Sequence, residues 1–127
     1  MKKLNFLLAL ILIVTASCTA QKDKVLSPKD FKAKMSQPSV VILDVRTPEE
    51  FTDGHLDKAI NLDIKNDQFE AQCNKLDKSK PVLVYCLVGK RSNRAAVMLR
   101  QKGFDVLELD GGMEAWQDAG LPVVKGK

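Results

Sequence analysis

Apolar residues fall in short unbroken runs, separated by stretches in which they recur at helical spacing. Val82-Leu83-Val84-Tyr85, opened by Pro81, suits a strand buried on both faces, as in a parallel sheet. Val40 to Val45 (VVILDV) and Asp105 to Asp110 (DVLELD) have the same character, and Ala59 to Asp63 (AINLD) is a shorter example. Ser27-Pro28 reads as a helix cap followed by proline at the first helical position, with Phe31 and Met35 one turn apart and Gln37-Pro38 as the stop. Thr47-Pro48-Glu49-Glu50 repeats that signal for a short helix containing Phe51. Asn66 to Leu76 predicts a modest helix with Phe69, Cys73 and Leu76 on one side. From about Ser92, the residues Ala95, Ala96, Met98 and Leu99 predict a helix that ends at Gly103, and Gly112 to Ala119 predicts another, carrying Trp116. Leu121-Pro122-Val123 closes the pattern. Strand and helix alternate throughout, which predicts an α/β fold: a parallel sheet of about five strands with helices on both faces.

The first 20 residues have a different grammar. Lys2 and Lys3 precede an apolar run from Leu4 to Val14, followed by the small residues Thr15, Ala16, Ser17 and Cys18. This is the pattern of an export signal, too short to remain as a membrane span. Ala-Ser-Cys resembles a bacterial lipobox, which makes Cys18 a lipidation site, although Thr15 stands where an aliphatic residue is usual. Ordinary cleavage near Ala16 or Ala20 is the alternative and would release a soluble periplasmic or secreted protein. The lipoprotein is the favoured reading, with residues 21–24 as a polar tether and 25–127 as one domain on the periplasmic side of a bacterial membrane.

Composition narrows the function. The chain is 45% apolar and 28% charged, as expected of a globular protein. Its formal charge of +4 includes Lys2 and Lys3, and no basic run or aromatic-basic alternation argues for nucleic-acid binding. A single histidine and the absence of a C-x-x-C pair argue against zinc, so no metal is expected.

The candidate chemistry lies at Cys86. It follows the strand at Val82–Tyr85 and precedes a short loop, Leu87, Val88, Gly89, Lys90, Arg91 and Ser92, that leads into a helix. Free backbone N–H groups and the helix dipole there favour a thiolate, as do Lys90 and Arg91. In sheets of this type ligands bind beyond the carboxyl ends of the strands, where Asp44 to Arg46, Asp63, Cys86 and Asp110 to Gly112 all fall. A structural cysteine packed as a small hydrophobe is the plainer alternative for Cys86.

Four groups of residues together resemble the rhodanese domain, the sulfurtransferase family. They are Asp44-Val45-Arg46 with Glu49-Glu50-Phe51, Gly54-His55-Leu56 with Ala59-Ile60-Asn61, the loop Cys86 to Ser92, and Gly111-Gly112-Met113 with Trp116. They run in the family's order across nearly the whole domain. The resemblance implies that Cys86 accepts a sulfane sulfur, becomes a persulfide and passes the sulfur to a thiol or, in assays, to cyanide. It implies no cofactor beyond that covalent persulfide. The partners expected are a small sulfur donor and a thiol acceptor, small or protein, and the expected form is a monomer.

Loop amides from Leu87 to Ser92 would cradle the persulfide, and Gly89 would permit the turn. Arg91 and Lys90 would hold an anionic donor, the plainer alternatives being a helix-start arginine paired to a carboxylate and an ordinary surface lysine. The six-residue span from Cys86 to Arg91 matches the family's sulfur-transferring length, whereas related phosphatases and arsenate reductases carry one residue more. Leu87 and Val88 stand where many members are basic or polar, which makes a persulfide as good a donor as thiosulfate. A non-catalytic sulfur carrier or sensor is the main alternative, and an oxyanion enzyme on the same scaffold is a lesser one.

The remaining polar residues read more simply. Arg46 is expected to bind carboxylates and loop carbonyls beneath the site, with Asp44 as structural support or pocket rim. His55 reads as a turn histidine satisfied by backbone, Cys73 as helix core, and Trp116 as core or pocket wall.

Overall fold

The computed structural model describes residues 24–127, so the leader and Cys18 lie outside the described residues. Five parallel strands form one sheet: β1 (Val25–Leu26), β2 (Val41–Asp44), β3 (Ile60–Asn61), β4 (Val82–Tyr85) and β5 (Val106–Leu109), in the order β1-β5-β4-β2-β3. Among the described residues five helices connect and cover them: α1 (Pro28–Met35), α2 (Pro48–Asp53), α3 (Phe69–Cys73), α4 (Lys90–Gln101) and α5 (Gly112–Asp118).

The two-residue period of a strand sends alternate side chains to opposite faces, and the core divides accordingly. Leu43, Val45, Val82 and Val84 pack with Phe69, Cys73, Ala95, Ala96 and Leu99 on the face covered by α3 and α4. Ile42, Leu83, Tyr85 and Leu109 pack with Phe31, Met113 and Trp116 on the face covered by α1 and α5. Both sides of β4 are therefore buried, which is why its sequence is apolar without alternation. No helix among the described residues is long and apolar enough to cross a membrane.

Most element bounds differ from expectation by a residue or two, and three differences have a clear cause. Helix α4 begins at Lys90 rather than near Ser92, because Gly89 (φ 111°) turns the chain straight from the loop into the helix. Helix α3 is shorter than the expected span from Asn66 to Leu76. The side chains of Asp63 and Asn66 accept hydrogen bonds from the backbone N–H groups of Lys65 and Gln68, which holds the approach in turns. Strand β1 is only two residues long, with Val25 exposed, so it carries no periodic signal; it joins the sheet by pairing with Glu108 and Leu109.

Candidate active site

Cys86 is the residue immediately after β4, and its neighbours are set by the loop around it. The Gly89 N–H donates to Cys86 Sγ at 3.1 Å, and Ser92 Oγ lies 3.4 Å from the sulfur. Ser92 Oγ is also 3.2 Å from the Gly89 carbonyl oxygen. While Cys86 is a thiol, its S–H donates to Ser92 and the serine hydroxyl donates to that carbonyl. Once the thiol ionises, the same hydroxyl is free to turn and donate to the sulfur. Burial by itself would raise the thiol's pKa. The Ser92 hydroxyl and the backbone amides of Ser92, Gly89 and Val88 outweigh it, so the pKa falls below the ordinary thiol value.

The start of the loop is oriented by carbonyls tied down on its other side. At the start of α5, the Met113 N–H donates to Cys86 O at 2.8 Å and the Glu114 N–H to Leu87 O at 3.1 Å. In a trans peptide the N–H points opposite the C=O, so anchoring these two carbonyls turns the Leu87 and Val88 amides the other way, and Val88 is one of the donors to the sulfur. Such close approach requires Gly112. A Cβ there would lie 2.5 Å from Leu87 O and 2.6 Å from Cys86 O, and the backbone has φ 61°. The Gly111-Gly112-Met113 sequence is thus part of the active loop's support.

Beneath the loop lies a buried polar cluster. Arg46 donates through Nε to Asp44 Oδ1 (3.0 Å) and through a terminal nitrogen to Asp44 Oδ2 and to the Gly54 carbonyl, both at 2.7 Å. Asn61 donates to the carbonyls of Asp44 and Arg46, and the Leu56 N–H donates to the Tyr85 hydroxyl. These bonds tie the ends of β2 and β4 to the segments around Gly54 and Asn61. Asp44 is fully buried and occupied by Arg46, so it supports the site and does not form its rim. His55 Nδ1 lies 2.8 Å from the Phe51 carbonyl oxygen and its ring stacks on Phe51, consistent with a turn histidine. Trp116 is buried and donates to the Pro122 carbonyl, and Cys73 is a buried core residue whose thiol is pushed up to about 11 by burial.

Arg91 follows its plainer alternative, pairing with a carboxylate, rather than the favoured anion role. Its two terminal nitrogens bind the two carboxylate oxygens of Glu50 at 2.8 and 2.9 Å, so the guanidinium expected to hold an anionic donor is engaged by α2 instead. Reading the sequence did not pick out Glu50 for this role. Glu50 stands in the cap-then-proline run from Thr47, and in the structure the two residues form a capping box that fixes the carboxylate from behind. Lys90 is exposed, and its ammonium makes no hydrogen bond or ion pair among the described residues. Leu87 and Val88 are 36% and 47% exposed, whereas Cys86 itself is buried. A shallow groove of about 290 Å³ borders the loop, lined by Val88, Gly89, Lys90 and Asp110 among others. A separate cleft, lined by Lys32, Ile42, Asp57 and Trp116 among others, lies on the α1/α5 face, and Cys86 is not among its lining residues.

This geometry predicts how the two described cysteines respond to alkylation. For Cys86, the rate with iodoacetamide should rise with pH to a midpoint below about 8.5, the ordinary thiol value. Cys73 should stay unmodified until the protein unfolds. Mass mapping across a pH series checks both, and a Cys86 midpoint above the ordinary value would contradict the amide and hydroxyl arrangement.

A parallel α/β sheet thus carries, at one strand end, a cysteine of lowered pKa ringed by donors of a loop entering a helix. The rhodanese-like domain model matches residues 27–119, and the chain belongs to that family, which is of the sulfurtransferase type. A rhodanese-related protein from Thermoplasma volcanium is similar in structure, with a TM-score of 0.72 and 29% identity over 80% of this chain and 97% of that one. A rhodanese-like domain protein from Staphylococcus aureus has a TM-score of 0.67 and 31% identity over 78% of this chain and 96% of that one. An uncharacterized protein of Synechocystis sp. is 32% identical over 110 residues, which cover 86% of this chain. The match spans 60% of that relative's length.

Proposed function

We propose that the protein is a sulfurtransferase that moves a sulfane sulfur from thiosulfate or a persulfide to a thiol acceptor through a persulfide on Cys86. The observation that carries this reading is the ring of donors around Cys86 Sγ, made by the Ser92 hydroxyl and the amides of Val88, Gly89 and Ser92. A thiolate held there is a competent nucleophile, and the same donors suit the terminal sulfur of a persulfide anion. The thiolate attacks the donor's outer sulfur. A new S–S bond forms at Cys86, the donor's S–S bond breaks, and its electron pair leaves on sulfite or on a thiolate. An acceptor thiolate then attacks the outer sulfur of the persulfide and restores Cys86. No dissociable cofactor takes part.

In this reading the protein is exported and held at the periplasmic side of a bacterial membrane through lipidated Cys18, and it acts as a monomer. The donor and acceptor are small molecules, with a protein thiol as a further candidate acceptor. Intact-mass spectrometry of the reduced protein tests the chemistry. Incubation with glutathione persulfide or thiosulfate should add one sulfur atom, and cyanide or a thiol should remove it. Repeated turnover with donor and acceptor together is expected; loading without turnover would identify a carrier instead. No sulfur uptake from either donor, with Cys86 free, would refute the reading.

A further inference from the structure

We propose that Glu50 is a specificity-determining residue: by occupying both terminal nitrogens of Arg91, it masks the loop's fixed cation and turns the site away from dianionic thiosulfate, toward persulfides on weakly charged carriers. The inference rests on the sulfurtransferase reading and names the donor class for that same site.

The argument begins with charge. Transfer from thiosulfate brings a dianion against a thiolate and releases sulfite, also a dianion, so three negative charges must share the mouth of the site. A site suited to that donor needs cations free to face it. Here Arg91 is held by a two-pronged ion pair, with N–O distances of 2.8 and 2.9 Å. Glu50 cannot easily release it, because the carboxylate is also fixed in the capping box at the start of α2. Hydrogen bonding to Arg91, helped by the Thr47 N–H and outweighing partial burial, lowers its pKa to about 2, so the pair persists at any working pH. Across the groove Glu108 is paired with Arg100, and Asp110 adds negative charge. Lys90 remains as an exposed cation on the loop, beside the uncharged Leu87 and Val88. An apolar or weakly charged carrier with a terminal R–S–S–H group suits that mouth. Its sulfur passes to Cys86 as the S–S bond breaks, and the carrier leaves as a thiolate.

Glu50→Gln tests the inference while keeping the capping box, since glutamine accepts the Thr47 N–H as glutamate does. The measurement is the rate of Cys86 loading from thiosulfate and from benzyl hydropersulfide, at low and high salt. The ratio of thiosulfate to persulfide specificity should rise about tenfold at low salt, and salt should shrink the gain. A ratio unchanged in the variant would overturn the proposal. A second measurement needs no variant. In the native protein, loading from thiosulfate should hold steady or quicken as salt rises, because screening relieves repulsion between the dianion and the thiolate. A steep fall with salt would mean that an unmasked cation attracts the donor, and would overturn the proposal even if the variant failed to fold. Loading from neither donor in any form would overturn the sulfurtransferase reading itself, and this inference with it.

Discussion

Replacing Cys86 with serine is expected to abolish sulfur loading, lowering its rate by about a thousandfold or more. A serine hydroxyl is far from ionising at neutral pH, and the surrounding donors cannot close that gap. The fold should be untouched: serine is slightly smaller, and its Oγ can accept the Gly89 N–H that now meets the sulfur at 3.1 Å. The comparison is intact mass after incubation with each donor, alongside thermal unfolding. The expected result is one removable sulfur on the native protein and none on the variant, at similar melting temperatures. A variant that still gained removable sulfur would move the chemistry to another cysteine.

Arg46→Ala should be the most destabilising single change near the site. Asp44 is fully buried and Arg46 nearly so, and the pair is joined by several charge-assisted hydrogen bonds. Removing the arginine leaves a carboxylate without its counter-charge and the Gly54 carbonyl without its donor. Breaking a buried pair on one side costs about 3–5 kcal/mol, a large share of the roughly 5–15 kcal/mol that holds a domain together. Urea unfolding measures it as a lower midpoint at a similar slope. Removing both charges together, as Asp44→Asn with Arg46→Leu, should cost less than Arg46→Ala alone, because no orphaned carboxylate remains. A cost below about 1 kcal/mol for Arg46→Ala would place the pair in solvent rather than in the core.

The long strands and helices were legible because each rests on local chemistry. Ser27-Pro28 and Thr47-Pro48 cap their helices as read, and Val82–Tyr85 is a strand because both its faces meet apolar helices. Cys86 could be placed at a strand end facing a helix start for the same reason. What the sequence left hidden depends on contacts between distant segments. Glu50 and Arg91 stand 41 residues apart, and each has an adequate local explanation, so nothing in either neighbourhood announces their pairing. Gly112 reads as a helix start until Cys86 and Leu87 are seen to press against it. Strand β1 is too short to have a period and exists only because β5 offers it an edge.

The hold of α5 on the loop ties the nucleophile to the order of synthesis. Cys86 emerges well before Met113 and Glu114, whose amides anchor the carbonyls of Cys86 and Leu87. A nascent chain that has reached only the end of α4 therefore lacks the contacts that orient the Leu87 and Val88 amides. Ser92 and Gly89 belong to the segment already made, but the Leu87–Val88 peptide gains its anchor only when the last helix docks, so the donor ring is completed by a part of the chain that supplies none of its members.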